Sequence, residues 1–112
     1  MPQRSLAKAE ADIIRRLLQF ANREDLARDL TNAVVEPMGD GGMGSLRFRY
    51  GEDREQQLGK AIATAQALDR DGVVLSIALN VDASGRLFEL DVWKVDFSAT
   101  KQLPPASELT FS

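Results

Sequence analysis

The first thirty residues carry apolar side chains at the spacing of a helix. The apolar positions that fall on one side of the first predicted helix are Leu6, Ile13, Leu17 and Phe20. Ser5 is placed to cap this helix, which the pattern ends near Phe20. Asn22 is placed to cap a second, shorter helix that ends near Asn32. Residues 5–33 are therefore predicted to form two helices in tandem.

From Val34 onwards the pattern changes to the alternation that is typical of strands. Residues 45–50 alternate most clearly, and further strands are predicted at 34–36, 73–79 and 87–95. Residues 58–68 fit both a helix and an alternating strand. Because the tight turn Asp69–Gly72 follows directly and leads into a strand, we favour a strand over residues 60–68.

This order of elements predicts an α+β fold. We expect two N-terminal helices packed on one face of an antiparallel sheet of about four to five strands. The 112 residues are expected to form a single domain, 1–112. It divides into a helical part (5–33), a strand-rich part (34–98) and an extended or disordered tail (99–112).

The stretch Gly39–Ser45 holds four glycines and lies between the helical and strand-rich parts. Such a run is either a joint that tolerates positive φ or a cradle for an anion. Its letters match a dinucleotide-binding motif, but that motif requires a helix after the glycines, where a strand is predicted here. Asp40 also places a negative charge in the loop that would have to hold the anion. A joint is the favoured interpretation, and a binding loop is the alternative.

Composition excludes several chemistries. The chain has no cysteine and no histidine, which removes thiol chemistry, ordinary zinc sites and the commonest general base. We therefore expect no enzyme activity and no cofactor. The net charge is −3, and no basic stripe is present, so nucleic acid is not an expected ligand. No apolar run reaches the roughly 18 residues of a membrane span, and Met1–Ser5 lacks a secretory signal pattern. No membrane association is expected, and the expected location is the cytoplasm.

Several charged residues and one tryptophan are candidates for a binding surface. Glu89 and Asp91 lie two apart on a predicted strand, with Asp96 nearby, and Trp93 beside Lys94 is a candidate anchor for a partner. The remaining candidates are Asp40, Arg47 and Arg49. Paired carboxylates can hold a divalent ion, whereas the simpler interpretation is a solvated face on which they pair with the two arginines. For Trp93 the favoured interpretation is a core residue, because a single tryptophan is usually highly buried.

Two segments resemble a known family. Asp40–Phe48 reads DGGMGSLRF and Leu87–Ser98 reads LFELDVWKVDFS. Together they resemble a family of small bacterial proteins catalogued only as a domain of unknown function. The resemblance spans roughly residues 5–103, implies a bacterial cytoplasmic α+β protein and supplies no catalytic residues. In size and acidity, rather than in a motif, the chain is also similar to immunity proteins that neutralise secreted bacterial toxins.

The leading functional hypothesis is a non-catalytic protein-binding module, in particular an immunity-type inhibitor. Its acidic sheet face would meet a basic toxin domain and gain association rate from electrostatic steering. The alternative is a small-ligand or divalent-ion binding protein that uses the glycine loop 39–45 and nearby carboxylates. A homodimer through an edge strand or through the Trp93 face is a further hypothesis.

Overall fold

The computed structural model describes residues 2–51 and 56–111 of the chain. Within these ranges it contains one α-helix, two 3₁₀ helices and seven strands. In chain order the elements are β1 (Arg4–Ser5), α1 (Lys8–Phe20), a first 3₁₀ helix (Glu24–Leu30), β2 (Val34–Pro37), β3 (Leu46–Arg49), β4 (Leu58–Leu68), β5 (Val74–Asp82), β6 (Leu87–Lys94), a second 3₁₀ helix (Ala106–Glu108) and β7 (Thr110–Phe111).

The strands form one antiparallel sheet in the order β1-β2-β3-β6-β5-β4-β7. β4, β5 and β6 are joined by two tight turns, each of which includes a glycine at positive φ. Gly72 has φ +80° and Gly85 has φ +91°, a conformation that costs little only for glycine. These turns make consecutive strands neighbours, whereas β3 reaches β6 by pairing Leu46 with Leu90 across a long sequence separation.

One face of the sheet is covered by α1, and the core lies between them. The helix buries four side chains at helical spacing, namely Ile13, Ile14, Leu17 and Leu18. The sheet contributes buried residues from its central strands, among them Leu79 and Leu90. We call this covered side the inner face and the opposite side of the sheet the outer face.

A row of alanines lets α1 approach β4 closely. Ala63, Ala65 and Ala67 alternate along β4 and are all buried, and Cα atoms of α1 and β4 come within 8 Å of each other. Gln66, which lies between two of these alanines, points to the outer face and is exposed. Residues 58–68, which fitted both a helix and a strand, are therefore a strand, whose inward side chains are small because a helix packs directly on them.

The prediction of two helices on a sheet of four to five strands is wrong. The second predicted helix is the 3₁₀ helix Glu24–Leu30, and Asn22, its predicted cap, has φ +59°. The sheet has seven strands because β1 and β7, each of two residues, extend it at its two edges. Strands this short carry no recognisable alternation, so the pattern of apolar residues did not indicate them.

The start of α1 also differs from the prediction. Ser5 belongs to β1, and Ala7 occupies the position before the helix. The Glu10 carboxylate accepts a hydrogen bond of 2.8 Å from the Ala7 backbone N–H and binds both terminal nitrogens of Arg4 at 2.8 and 2.9 Å. This carboxylate, rather than the Ser5 hydroxyl, accepts a backbone N–H at the start of the helix. Through Arg4 it also connects β1 to the helix.

An extended or disordered tail was predicted for residues 99–112, of which Ser112 lies outside the described residues. Residues 99–111 make specific contacts with the rest of the fold. Pro104 and Leu109 are buried, and β7 pairs with β4 through Thr110 and Gln66. The ring of Phe111 stacks on that of Phe20 with centroids 4.4 Å apart. The C-terminal segment thus packs against the end of α1.

We expect the Ala65→Leu variant to be about 1–3 kcal/mol less stable than the wild type, because a larger side chain on the inner face would push α1 away from β4. The matched control is Gln66→Leu, which places the same side chain on the exposed outer face and should change stability by less than about 0.5 kcal/mol. Urea unfolding monitored by circular dichroism measures both. Equal stabilities of the two variants would contradict the close packing.

Candidate functional site

A fully buried lysine lies at the end of β6. Lys94 alternates with Leu90 and Val92, so its side chain points to the inner face, and none of it is exposed. Its ammonium group donates three hydrogen bonds, to Asp69 Oδ2 at 2.8 Å, Asp71 Oδ2 at 2.6 Å and the Ala99 carbonyl at 3.2 Å. All three of its N–H groups are satisfied. Lys94, which the sequence suggested as part of a surface anchor beside Trp93, is therefore unavailable to a partner.

Asp69 joins three parts of the chain. Besides the Lys94 ammonium, its carboxylate accepts backbone N–H bonds from Arg70 at 2.7 Å, Lys101 at 2.7 Å and Gln102 at 3.0 Å. Burial by itself raises the pKa of Asp69, but these hydrogen bonds outweigh burial and hold the pKa well below its ordinary value. The ionised pair connects the β4–β5 turn, the end of β6 and the C-terminal segment.

Asp82 plays a similar part in the β5–β6 turn. Its carboxylate accepts hydrogen bonds from Gln56 Nε2 at 2.8 Å, from the backbone and hydroxyl of Ser84 at 2.9 and 2.7 Å, and from the backbone of Arg86 at 2.9 Å. Burial alone raises the pKa of Asp82, yet these donors together lower it to about 2. The carboxylate stabilises the turn in its ionised form.

The glycine stretch Gly39–Ser45 packs against the C-terminal segment. Thr100 donates its backbone N–H to the Gly42 carbonyl at 3.1 Å and its hydroxyl to the Met43 carbonyl at 2.6 Å. Gly42 has φ +83°, and a Cβ there would lie 3.2 Å from that of Ala99. Asp40 accepts the Ser45 backbone N–H at 3.0 Å within the loop. These contacts are those of a joint held in place by a neighbouring segment.

Ser45 brings two of the predicted carboxylates near each other. Its hydroxyl accepts the Val92 N–H at 2.9 Å and lies 3.3 Å from Asp91 Oδ1, while Asp40 binds its backbone. Burial, together with the charges of Glu89 and Asp40, raises the pKa of Asp91. A raised pKa indicates a carboxylate whose negative charge is poorly compensated within the chain.

The outer face carries the charged residues that the sequence singled out. Arg47 lies opposite Glu89 in the sheet, with Nη2 3.4 Å from Oε2, and its guanidinium lies 4.2 Å from the centre of the Phe88 ring. Arg49 pairs instead with Glu36, at 3.1 Å. The expected pairing of outer-face carboxylates with arginines is therefore observed for Arg47 and Glu89.

An apolar patch lies at the Trp93 end of the outer face. Trp93 is 43% exposed and Phe97 is 71% exposed, with ring centroids 5.8 Å apart. Leu68 and Val95 are also exposed and flank Val74, which pairs with Leu68 and accepts the Val95 N–H through its carbonyl. We call Leu68, Trp93, Val95 and Phe97 the Trp93 patch. Trp93 is thus a surface residue here and not a core residue.

The predicted site residues therefore separate into groups. Glu89, Asp91 and Trp93 share the outer face of β6, with Arg47 beside Glu89. Asp40 approaches from the glycine stretch, and Asp96 lies next to Phe97, where it accepts two hydrogen bonds from Ser98. Arg49 lies farther along β3 with Glu36, and Lys94 is on the inner face.

Sequence reasoning missed Phe97, Leu68 and the central role of Asp69. The apolar residues after Trp93 were a signal for the patch, since Val95 and Phe97 continue the outward alternation of Trp93. No comparable signal identified Asp69, because its partner Lys94 lies in another strand.

Within residues 2–51 and 56–111, no group of three or more carboxylates comes together in a way that would hold a metal ion. In the same ranges, no helix has the length and apolar character needed to cross a membrane.

The fold and the site define a small antiparallel-sheet protein with one helix-covered face and one face that bears an exposed aromatic patch. The chain belongs to the family described as Domain of unknown function (DUF6984), whose family model matches residues 3–104. This confirms the resemblance to a family of unknown function. Searches of curated proteins and of solved structures returned no match.

We expect the Lys94→Met variant to lose about 3–5 kcal/mol of stability, because Asp69 would remain buried without its counter-charge. The matched control, Lys101→Met, removes an exposed ammonium group and should behave like the wild type. A double variant, Lys94→Met with Asp69→Asn, removes both charges and should be more stable than Lys94→Met alone. Urea unfolding compares the three. A Lys94→Met protein as stable as the Lys101→Met control would contradict the structural role of the ion pair.

The lowered pKa of Asp82 predicts a dependence of stability on pH. Because this carboxylate is ionised more readily in the folded than in the unfolded chain, its stabilisation is present above about pH 4 and is lost as pH falls towards 2. The Asp82→Asn variant should be less stable than the wild type at pH 7. It should also lose less stability as the pH falls from about 4 towards 2. The control Asp12→Asn changes a half-exposed carboxylate on α1 and should keep the wild-type slope. Thermal unfolding at a series of pH values tests this, and identical slopes for all three proteins would refute it.

Proposed function

We propose that this chain is a protein-binding module that holds a basic partner against the Trp93 patch. The observation that carries the proposal is the exposure of Trp93 and Phe97 side by side, at 43% and 71%, on the face opposite α1. Exposed aromatic residues beside other apolar side chains are typical of interaction sites, and tryptophan is enriched among the residues that contribute most to binding.

The backbone at Phe97 supports the same interpretation. Phe97 has φ +65°, the left-handed region that is unfavourable for a bulky residue by roughly 1–2 kcal/mol. The turn is closed by a hydrogen bond of 2.8 Å from the Phe97 N–H to the Lys94 carbonyl and by the Asp96–Ser98 contacts. In the free protein the mostly exposed ring of Phe97 gains little from burial to offset this strain. A gain on binding a partner is a physical reason for its position.

Charge determines the kind of partner that we propose. Glu89 is paired with Arg47, but Asp91 and Asp96 border the patch and have no basic residue as a hydrogen-bond partner among the described residues. Arginine or lysine side chains of a partner would reach these carboxylates and also pack on the two aromatic rings. A second copy would bring the same carboxylates together and be repelled, so a homodimer through this face is disfavoured.

A basic toxin domain is the partner class that we put forward first. The chain is acidic, with a net charge of −3, and its size and acidity resemble those of immunity proteins. An acidic face accelerates association with a basic partner by electrostatic steering, which an inhibitor that must act quickly requires.

An amphipathic helical peptide of lysine and leucine is the probe that tests the proposal. We expect it to shift the fluorescence of Trp93, the single tryptophan of the chain, to shorter wavelength, with binding that weakens as added salt shortens the screening length to a few ångströms. Phe97→Ser, which keeps the tryptophan reporter, should weaken binding at least about tenfold, equivalent to 1.4 kcal/mol. Asp91→Asn should weaken it less and reduce its dependence on salt.

The control variant is Leu58→Ser, which removes an exposed leucine at the far end of β4 and should leave binding unchanged. The control peptide, of glutamate and leucine, should not bind. Binding of both peptides with similar affinity, or equal affinities of the Phe97→Ser and Leu58→Ser variants, would reject the proposal. The same two variants, used as baits for the native partner, should respectively lose and retain it.

A further inference from the structure

A cavity of about 490 Å³ lies at the opposite end of the sheet from the Trp93 patch. It lies between the start of β2, the end of β3 and the first 3₁₀ helix, and its lining includes Val34, Tyr50 and Asn32. Its volume falls in the range of roughly 300–1,000 Å³ that is usual for small-molecule sites. Because β6 runs from Leu87 beside this cavity to the Trp93 end, the two sites are separated by about 20 Å, at roughly 3.3 Å per residue.

One wall of the cavity is a fixed aromatic ring. The Tyr50 hydroxyl donates a hydrogen bond of 2.6 Å to the Leu87 carbonyl, and the guanidinium of Arg86 lies 4.2 Å from the centre of the Tyr50 ring. Burial raises the pKa of Tyr50 to about 12, so the phenol is neutral at physiological pH. With Val34 and Ala33, this ring forms an apolar part of the cavity lining.

The lining also holds two exposed side chains of opposite charge, Arg28 and Asp29. Arg28 and Asp29 are consecutive in the first 3₁₀ helix, and neither side chain forms a hydrogen bond or ion pair with another residue of the described ranges. By contrast, Arg49 in the same lining is paired with Glu36 at 3.1 Å. Two smaller cavities, around Asp40 and around Asp69, are each lined by more carboxylates than guanidinium groups.

We propose that this cavity binds a small zwitterion with an apolar body, of the chemical class of a free aromatic or aliphatic amino acid. The ligand carboxylate pairs with the Arg28 guanidinium and its ammonium group pairs with the Asp29 carboxylate, both as charge-assisted hydrogen bonds. The apolar body packs on Tyr50 and Val34, and the amide of Asn32 supplies a further polar contact. This site is independent of the partner surface at Trp93.

Three matched probes test the proposal by NMR on the ¹⁵N-labelled full chain. They are L-phenylalanine, 3-phenylpropionate, which lacks the ammonium group, and phenethylamine, which lacks the carboxylate. We expect phenylalanine to shift the amide signals of Asn32, Val34 and Tyr50 at about 1 mM, a concentration that reveals even weak specific binding. Each truncated probe should bind about two- to fivefold more weakly, since it lacks one of the two ion pairs and both are exposed to solvent.

Variants of Arg28 and Asp29 test which charged group of the ligand each side chain pairs with. Arg28→Gln should weaken the binding of phenylalanine to the level of phenethylamine, and Asp29→Asn should weaken it to the level of 3-phenylpropionate. Both side chains are exposed, so neither variant is expected to affect folding. Arg15→Gln, the same substitution at an exposed position of α1, is the control and should bind as the wild type does.

The proposal is overturned if phenylalanine produces no shifts, if the three probes bind equally, or if Arg28→Gln behaves like Arg15→Gln. It is also overturned if the shifts are confined to the Trp93 indole and its neighbours. The lysine–leucine peptide reports on the Trp93 patch in the same samples, so failure at one site is distinguishable from failure at the other.

Discussion

The buried ammonium group of Lys94 is the constraint on which the rest of the structure depends. A cation buried at the end of a strand is tolerable only if every N–H finds an acceptor, and here two carboxylates and a carbonyl provide them. The acceptors come from the β4–β5 turn and from the C-terminal segment, which are thereby fixed to the end of β6. The same C-terminal segment holds the glycine stretch through Thr100. One ion pair thus determines the position of three connections.

The two faces of the sheet have different consequences for function. The inner face is covered by α1, which packs closely on β4 because the inward side chains of that strand are alanines. The outer face has no helix packed on it in the described part of the chain, and its strands carry alternating charged and apolar side chains. Its polar middle, around Arg47 and Glu89, pairs opposite charges across neighbouring strands. Its Trp93 end does not, which is why the partner surface is proposed there and not across the whole face.

The proposed partner surface and the proposed ligand cavity lie at opposite ends of β6. They differ in shape and in the arrangement of their charges. The first is an apolar patch bordered by carboxylates, suited to a basic macromolecule. The second is a concave site in which a fixed tyrosine ring and two exposed side chains of opposite charge are proposed to hold a small zwitterion. Because β6 is a central strand, with β3 on one side and β5 on the other, it provides a rigid connection between the two ends.

The sequence by itself determined the elements whose pattern is local. Alternation identified the strands that include Leu46–Arg49, Val74–Asp82 and Leu87–Lys94, and helical spacing identified α1. The sequence also indicated the charged residues of the outer face. The tertiary structure alone decided the two-residue edge strands, the 3₁₀ form of Glu24–Leu30 and the site of Lys94. Alternation places Lys94 on the inner face, but its charge argued for the surface. Asp69 and Asp71, both distant in the chain, make this burial possible, and such pairing leaves no local trace in the sequence.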